Sequence, residues 1–263
     1  MKYTKISAIM GVAIACGSLF NPLAAEAAQY KSEYSLSILG FPIGKSAFDT
    51  KIDKNSYTIN GSLKAAGVAK LFTRTTGTLT AKGSLSSNKI TSRSFDVRYK
   101  EGNKNKRTTI SFSKGNVAKY ANSPKLRQRG DWVELKKSHL KKVMDPMAGI
   151  LVPAKSLRDV CSNTLKIFDG AMRADFPMRY VRTSPFSTKG YKGDAVTCRA
   201  TFKPISGYDR KKRDLVWMRD KGSMEVSFAP IGKTGLYAPV VAKIRTRAGL
   251  ATIRAKRFEA LTK

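Results

Sequence analysis

The chain has 263 residues, 50 Lys and Arg against 18 Asp and Glu, and a net charge of +32. That length holds one large all-β domain or two small ones, with a real core. A single histidine, His139, and the lack of any C-x-x-C pair argue against a metal centre or a dithiol redox site.

The first 27 residues read as a secretory signal. Lys2 and Lys5 make a basic head, Ile6 to Phe20 is a short apolar run, and Ala25-Glu26-Ala27 offers small residues where a signal peptidase reads. The run is short for a membrane span, which needs about 20 apolar residues. Cys16 lies in Ala13-Ile14-Ala15-Cys16-Gly17, which loosely resembles a lipoprotein processing site. The usual Leu three positions earlier is missing, so Cys16 reads as an ordinary residue of the signal, with lipid anchoring as the alternative. Cleavage after Ala27 takes Lys2, Lys5 and Glu26 with it and moves the net charge from +32 to +31. The remaining residues, 28–263, are expected to form a single periplasmic domain with no membrane span.

From Tyr30 onward the pattern alternates. Tyr34, Leu36 and Ile38 fall on one face and Glu33, Ser35 and Ser37 on the other, as in a half-buried strand. Gly40 to Gly44 reads as turn punctuation before a second strand over Ala47 to Ile52, giving a hairpin with a slightly long loop. A third strand fits Ser56 to Leu63. Gly67 to Phe72 breaks the alternation and reads as a short helical turn or a bulged edge. Further strands fit Thr73–Leu85, Ile90–Lys100, Thr108–Phe112 and Val117–Tyr120. Roughly ten residues per strand is the spacing of a sandwich, barrel or long curled sheet.

Arg98 to Lys142 is the most basic region. Lys104, Lys106, Arg107, Lys125, Arg127, Arg129, Lys136 and Lys137 are its candidate polyanion-binding residues, with Tyr120 and Trp132 among them. Basic and aromatic interleaving can mark a nucleic-acid surface, but no nucleic-acid motif accompanies it, and an exported protein meets envelope polymers first. No nucleic acid is expected as a partner. A solvated loop region with two anchored aromatics explains the stretch as well.

Asp145-Pro146 opens the least β-like part of the chain. Asp is a good N-cap and Pro suits the first helical position. Met147, Ile150 and Leu151 then form one apolar face, and Pro153 ends the helix. Ser156 to Val160 reads as a second helical turn. Thr164 to Phe168 is a strand, Asp169-Gly170 a two-residue hairpin turn, and Met172 to Phe176 the next strand. Ala195 to Phe202 carries Cys198. Pro204 to Tyr208 reads as a turn and Asp209 to Lys221 as a charged loop around Trp217. Strands over Ser223–Phe228, Pro239–Arg247 and Gly249–Phe258 close the chain.

Cys161 and Cys198 are the two cysteines beyond the signal, and an even number in an exported chain reads as a disulfide. Closing the segment between them is worth roughly 3–4 kcal/mol on the loop-entropy account.

Catalytic patterns are few. There is no G-x-S-x-G, G-x-G-x-x-G, phosphate loop or H-E-x-x-H. His139 lies among lysines with no evident nucleophile beside it. Asp145, Asp159, Asp169 and Asp175 are explained as caps, turns and ion pairs, and spacing alone does not make them a metal site.

Several stretches together resemble a known family. They are Tyr34 to Gly44 ending in Phe41-Pro42-Ile43-Gly44, the Asp145-Pro146 start, Cys161 followed by Leu165 to Gly170 (LKIFDG) and Asp175, Cys198 followed by Pro204 to Tyr208 (PISGY), and Pro239 to Ile253. In these the chain resembles the exported proteobacterial family of unknown function numbered 3108, from about Tyr30 to Phe258. The resemblance implies a periplasmic β-rich domain and no particular activity. At the level of architecture only, the chain is also similar to curled-sheet envelope proteins and lipoprotein carriers, which hold an acyl chain against a concave sheet.

The expected fold is mainly β, a long antiparallel sheet curled into a half-barrel or spiral, with a central helix region as plug. The expected function is non-enzymatic support of the cell envelope, by binding an amphiphilic or lipid ligand in the concave sheet with Met147, Ile150 and Leu151 at the pocket or plug. The alternatives are a peripheral binder of lipopolysaccharide or wall polymer through the basic surface, and an unrecognised hydrolase. No cofactor or metal is expected.

Overall fold

A computed structural model describes residues 28–67, 75–86, 89–128 and 130–261. The signal with Cys16, the run 68–72 and Arg129 lie outside these residues. Seven strands form an antiparallel meander: β1 (Ala28–Ile38), β2 (Phe41–Asp53), β3 (Ser56–Ala65), β4 (Thr76–Ser86), β5 (Lys89–Glu101), β6 (Lys104–Ser113) and β7 (Asn116–Ser123). Their period-two pattern puts Ile59, Ala81, Phe95 and Ile110 side by side on one face. All four are buried. Short strands β8 (Trp132–Val133) and β9 (Val152–Pro153) follow. The second half holds β10 (Thr164–Phe168), β11 (Arg173–Thr188), β12 (Tyr191–Ala200), β13 (Lys203–Ser206), β14 (Tyr208–Asp209), the helix α1 (Arg213–Asp220), β15 (Ser223–Pro230), β16 (Leu236–Thr246) and β17 (Gly249–Leu261).

The sheet runs β10-β11-β12-β15-β16-β17 and continues through β1 to β7. The two halves are therefore joined at the pairing of the first strand with the last. Curling brings the outer strands β7 and β10 towards each other, but they do not pair, and the sheet is not closed into a barrel. The strap 142–144 crosses the seam instead. Its Val143 N–H donates to Gly115 O, its Met144 N–H to Lys166 O, and its Met144 carbonyl accepts from Phe168 N–H. Side chains complete the crossing: the Tyr120 and Phe168 rings meet edge-on at 5.2 Å, and Asn122 Nδ2 donates to Gly170 O at 2.8 Å.

Two apolar clusters result among the described residues. The larger gathers Tyr30, Tyr34, Tyr57, Phe95, Phe168 and Phe258 with Ala148 and Leu151 from the central segment. The smaller packs Val152, Val160 and Cys161 onto Val196, Cys198 and Phe228 of β12 and β15. The central segment thus serves both: Leu151 and Val152 are consecutive residues of different clusters. Cys161 and Cys198 are bonded, with Cα atoms 5.4 Å apart, so the expected disulfide ties this segment to β12.

Several local expectations are corrected. The first hairpin turn is the tight pair Leu39–Gly40, and Phe41 to Gly44 already belong to β2. The central helix is a single 3-10 turn at Ala148–Ile150, and a second such turn spans Arg158–Ser162. Pro153 at the end of the first leaves too few residues for α-helical bonding. Asp169–Gly170 is part of a four-residue connection, because Asp169 Oδ1 accepts the N–H groups of both Ala171 and Met172. Lys203–Ser206 is a strand on β11 rather than a turn. The one α-helix among the described residues lies in the stretch read as a charged loop. Its half-buried face of Leu215 to Met218 is a single turn long, too short for periodicity to register.

Candidate functional site

The candidate plug residues are placed unequally. Leu151 is buried in the larger core, and Met147 packs against it from a partly buried position. Asp145 fixes the segment. Its Oδ1 accepts from Met147 N–H at 2.8 Å and Ala148 N–H at 3.0 Å. Its Oδ2 accepts from Ser92 Oγ of β5 at 2.5 Å. Burial pushes the Asp145 carboxyl above its ordinary pKa, and these hydrogen bonds pull the other way. Leu151 and Met147 therefore belong to the packed interior with Phe95, Phe168 and the other aromatics, while Ile150 is half-buried.

The clearest recess lies elsewhere, at the end of the sheet where β3, β4, β5 and β6 meet their turns. It is a groove of about 490 Å³. Leu63, Gly77, Tyr99 and Lys106 stand in one row across the four strands. Leu63 is 39% exposed and Tyr99 36%, although Ile59 and Phe95, four residues further along the same strands, are buried. Gly77 places no side chain between them. The opposite alternation adds Lys64, Thr76, Arg98, Lys100 and Arg107 to the lining. Residues of both alternations line it, so the groove belongs to the strand ends rather than to the enclosed interior.

Its charges divide into two sets. Arg107 grips Asp96 with Nε and Nη2, and this hydrogen bonding holds the Asp96 carboxyl below the usual range. Lys106 Nζ donates to Glu101 at 2.6 Å, which raises the Lys106 ammonium and lowers Glu101, and Nζ also stands 5.5 Å from the centre of the Tyr99 ring. Lys64 and Lys100 are exposed and, among the described residues, have no ion-pair partner, while the adjacent Lys104 stands opposite Glu101 and helps to lower its carboxyl. The groove thus presents a small apolar surface with the Lys64 and Lys100 ammonium groups at its edge.

The structure brings Lys106 and Arg107 of the candidate basic surface into the lining of this groove, with Lys104 next to it at the start of β6, and leaves the others apart. Lys125 lines a second crevice of about 310 Å³ between Tyr120, Leu126, Trp132 and Gly170. Arg127 is exposed beside it, and Lys136 caps and Lys137 opens a 3-10 turn over Lys137–Leu140. His139 closes that turn: its Nδ1 accepts from Lys136 N–H at 3.2 Å, and its carbonyl accepts from buried Arg173, which also pairs with Asp175. Asp159 accepts from Ser156 Oγ. The central carboxylates thus act as cap, turn and ion pair. Among the described residues no group of three His, Cys, Asp or Glu could hold a metal ion, and no helix is long and apolar enough to cross a membrane.

Sequence reasoning missed Leu63, Lys64, Tyr99 and Lys100 as a site. Alternation tells which face a residue takes, not where along the strand burial stops. The usable signal was Gly77, a small residue amid apolar neighbours on the inward face.

No curated protein matches the sequence. A solved β-barrel-like protein of the domain of unknown function DUF1849 from Brucella abortus is similar, with a TM-score of 0.50 and 7% identity over 90% of this chain and 100% of that one. A "putative lipoprotein" from Parabacteroides distasonis aligns over 90% of this chain and 96% of its own, with a TM-score of 0.31 and 7% identity. At such identity the first likeness speaks to the fold alone. The sequence profile of the protein family of unknown function DUF3108 matches residues 29–256, and the chain belongs to that family.

Proposed function

We propose that the protein is a non-enzymatic, exported protein of the cell envelope that binds an amphiphilic anion, of the chemistry of an envelope lipid, in the groove at the ends of β3 to β6. One observation carries the reading: exposed Leu63 and Tyr99 share a groove of about 490 Å³ with Lys64 and Lys100. That size lies within the range of about 300–1,000 Å³ usual for small-molecule sites. An acyl segment gains by covering Leu63 and the Tyr99 ring, and an anionic head gains from the Lys64 and Lys100 ammonium groups, which have no ion-pair partner among the described residues. The basic, apolar and small-residue pattern of residues 1–27 supports export, and the envelope supplies such amphiphiles.

The test uses cis-parinaric acid, an anionic acyl chain that fluoresces on leaving water. The wild-type protein is expected to enhance its emission saturably. Replacing Leu63 by Ser and Tyr99 by Ala removes the apolar contact, and affinity is expected to fall about tenfold or more. Lys100→Glu is expected to weaken the acid while leaving its neutral methyl ester unaffected. Equal binding by wild type and both variants would sink the groove reading.

A second reading is a peripheral polyanion binder. It is favoured by exposed Lys125, Arg127, Lys136 and Lys137, which have no ion-pair partner among the described residues. Retention on heparin should then weaken steeply with salt. Reversing Lys125, Lys136 and Lys137 to Glu should lower the eluting salt without changing parinarate binding. Unchanged elution would remove this surface from consideration.

A further inference from the structure

The turn that joins β1 to β2 is Leu39–Gly40, with φ of 50° at Leu39 and 85° at Gly40. Two left-handed residues in a two-residue hairpin are normally Asn-Gly or Asp-Gly, because a Cβ is disfavoured there. Here a leucine occupies the strained position. Its side chain is not hidden in return: Leu39 is 64% exposed, Phe41 62% and Leu250 44%. The three form one tip. Leu39 N–H donates to Leu250 O at 2.9 Å, Phe41 pairs with Ile38 across the turn, and the Leu39 side chain covers Gly249 so closely that a Cβ there would lie 2.5 Å from its Cδ2. The chain thus carries backbone strain and exposed apolar surface at one point, a combination found where a fold is built to contact something.

The surroundings state the chemistry of that contact. The β16–β17 turn beside Leu250 carries Arg247, whose Nε donates to Asp214 Oδ1 of α1 at 2.7 Å. This ion pair fixes the helix next to the tip and brings exposed Lys212, Arg213 and Lys221 with it. Trp217 and Val216 line a shallow recess with Lys211 and Arg247 on this side. An apolar point with a basic helix beside it complements one surface above others, the interface of an anionic bilayer. Leu and Phe enter the acyl boundary there while Lys and Arg stay at the headgroups. The turns between β1 and β2, β5 and β6, and β16 and β17 all lie at this end of the sheet, as does the groove of Leu63 and Tyr99.

We propose that the Leu39–Phe41–Leu250 tip, with the basic collar around α1, docks the protein on an anionic membrane surface. This stands apart from ligand binding in the groove, since it uses other residues and another readout. In practice, purified protein is sedimented with vesicles of phosphatidylcholine alone and with vesicles containing about one third phosphatidylglycerol, an anionic fraction that makes the surface potential attract basic segments. Sedimentation with the anionic vesicles, weakening as salt is raised, is the expected result. The combined variant Leu39→Asn, Phe41→Ser, Leu250→Ser is expected to bind about tenfold more weakly or worse. Asn suits the left-handed turn position better than Leu, so this variant folds without a turn penalty, and an unchanged melting temperature establishes that. Tyr99→Ala, which weakens parinarate binding in the groove, is read beside the tip variant: loss of sedimentation in Tyr99→Ala but not in the tip variant would assign vesicle binding to the groove and overturn the proposal. The proposal is overturned if the wild type leaves both vesicle types in the pellet without it, or if the tip variant sediments as well as the wild type.

Discussion

Replacing Cys161 and Cys198 together by Ala is expected to destabilise the protein by about 3–4 kcal/mol, the loop-entropy value for a cross-link of this span. The two residues are 37 apart, and the chain between them includes β10, β11 and most of β12. Without the bond the unfolded chain regains the freedom of that whole stretch. Ala is preferred to Ser as the replacement because Cys161 is 2% exposed and Cys198 fully buried among Val160, Val196 and Phe228. A hydroxyl placed there has no partner and adds its own desolvation cost. For a domain of this size the melting temperature should fall by roughly 10 °C. The check is urea unfolding of wild type and variant with and without reductant. Reductant should shift the wild type towards the variant and leave the variant where it was. A wild type insensitive to reductant, together with two free thiols by mass, would refute the cross-link as a source of stability.

How much of this was legible in the sequence depended on the length scale of each signal. The strands were legible because alternation persists over many residues: Tyr57 and Ile59 are followed two and four positions on by Gly61 and Leu63, all inward. The cysteine pair was legible because no third cysteine competes for it beyond the signal. The Leu39–Gly40 turn was not, because Leu is a poor residue for a left-handed position and propensity points away from it. Nor was α1, whose apolar face is one turn long. The groove and the tip were hidden for a further reason. They depend on where burial ends along a strand and on which turns curling gathers at one end, and both are set by pairing across the whole sheet. Met147, Ile150 and Leu151 were expected at a pocket or plug, and how far the sheet around them is filled is set by residues distant in sequence. The interior brings Phe95, Phe168 and Phe258 into the same core as Leu151.

Asp145→Ala is expected to cost about 2–4 kcal/mol, the sum of a lost cap and of donors left without acceptors. The carboxylate is fully buried. It satisfies the backbone N–H groups of Met147 and Ala148 and the hydroxyl of Ser92 at once. The Ser92 Oγ in turn accepts the Asp145 N–H at 3.0 Å, so the pair locks the plug to β5 in both directions. Asp145→Asn keeps an acceptor at Oδ1, and is expected to change stability by less than about 1 kcal/mol near pH 4, where burial favours an uncharged Asp145 carboxyl and one neutral hydrogen-bonding group replaces another. The two variants differ most in their response to pH. Burial raises the folded-state pKa of Asp145, so its contribution is most favourable below the unfolded-state value of about 3.9 and declines as pH rises through the folded-state value. The surface carboxylates Asp96, Glu101 and Glu225 are lowered by their Arg and Lys partners and act in the opposite sense, losing stability as pH falls. Subtracting the wild-type curve from that of Asp145→Asn cancels these shared groups. The difference should turn increasingly in favour of Asn from pH 4 upward, starting near the ordinary Asp value. Urea midpoints measured across that range decide it: a flat difference, or one that favours Asp as pH rises, would show that the buried carboxyl is not held against its own ionisation.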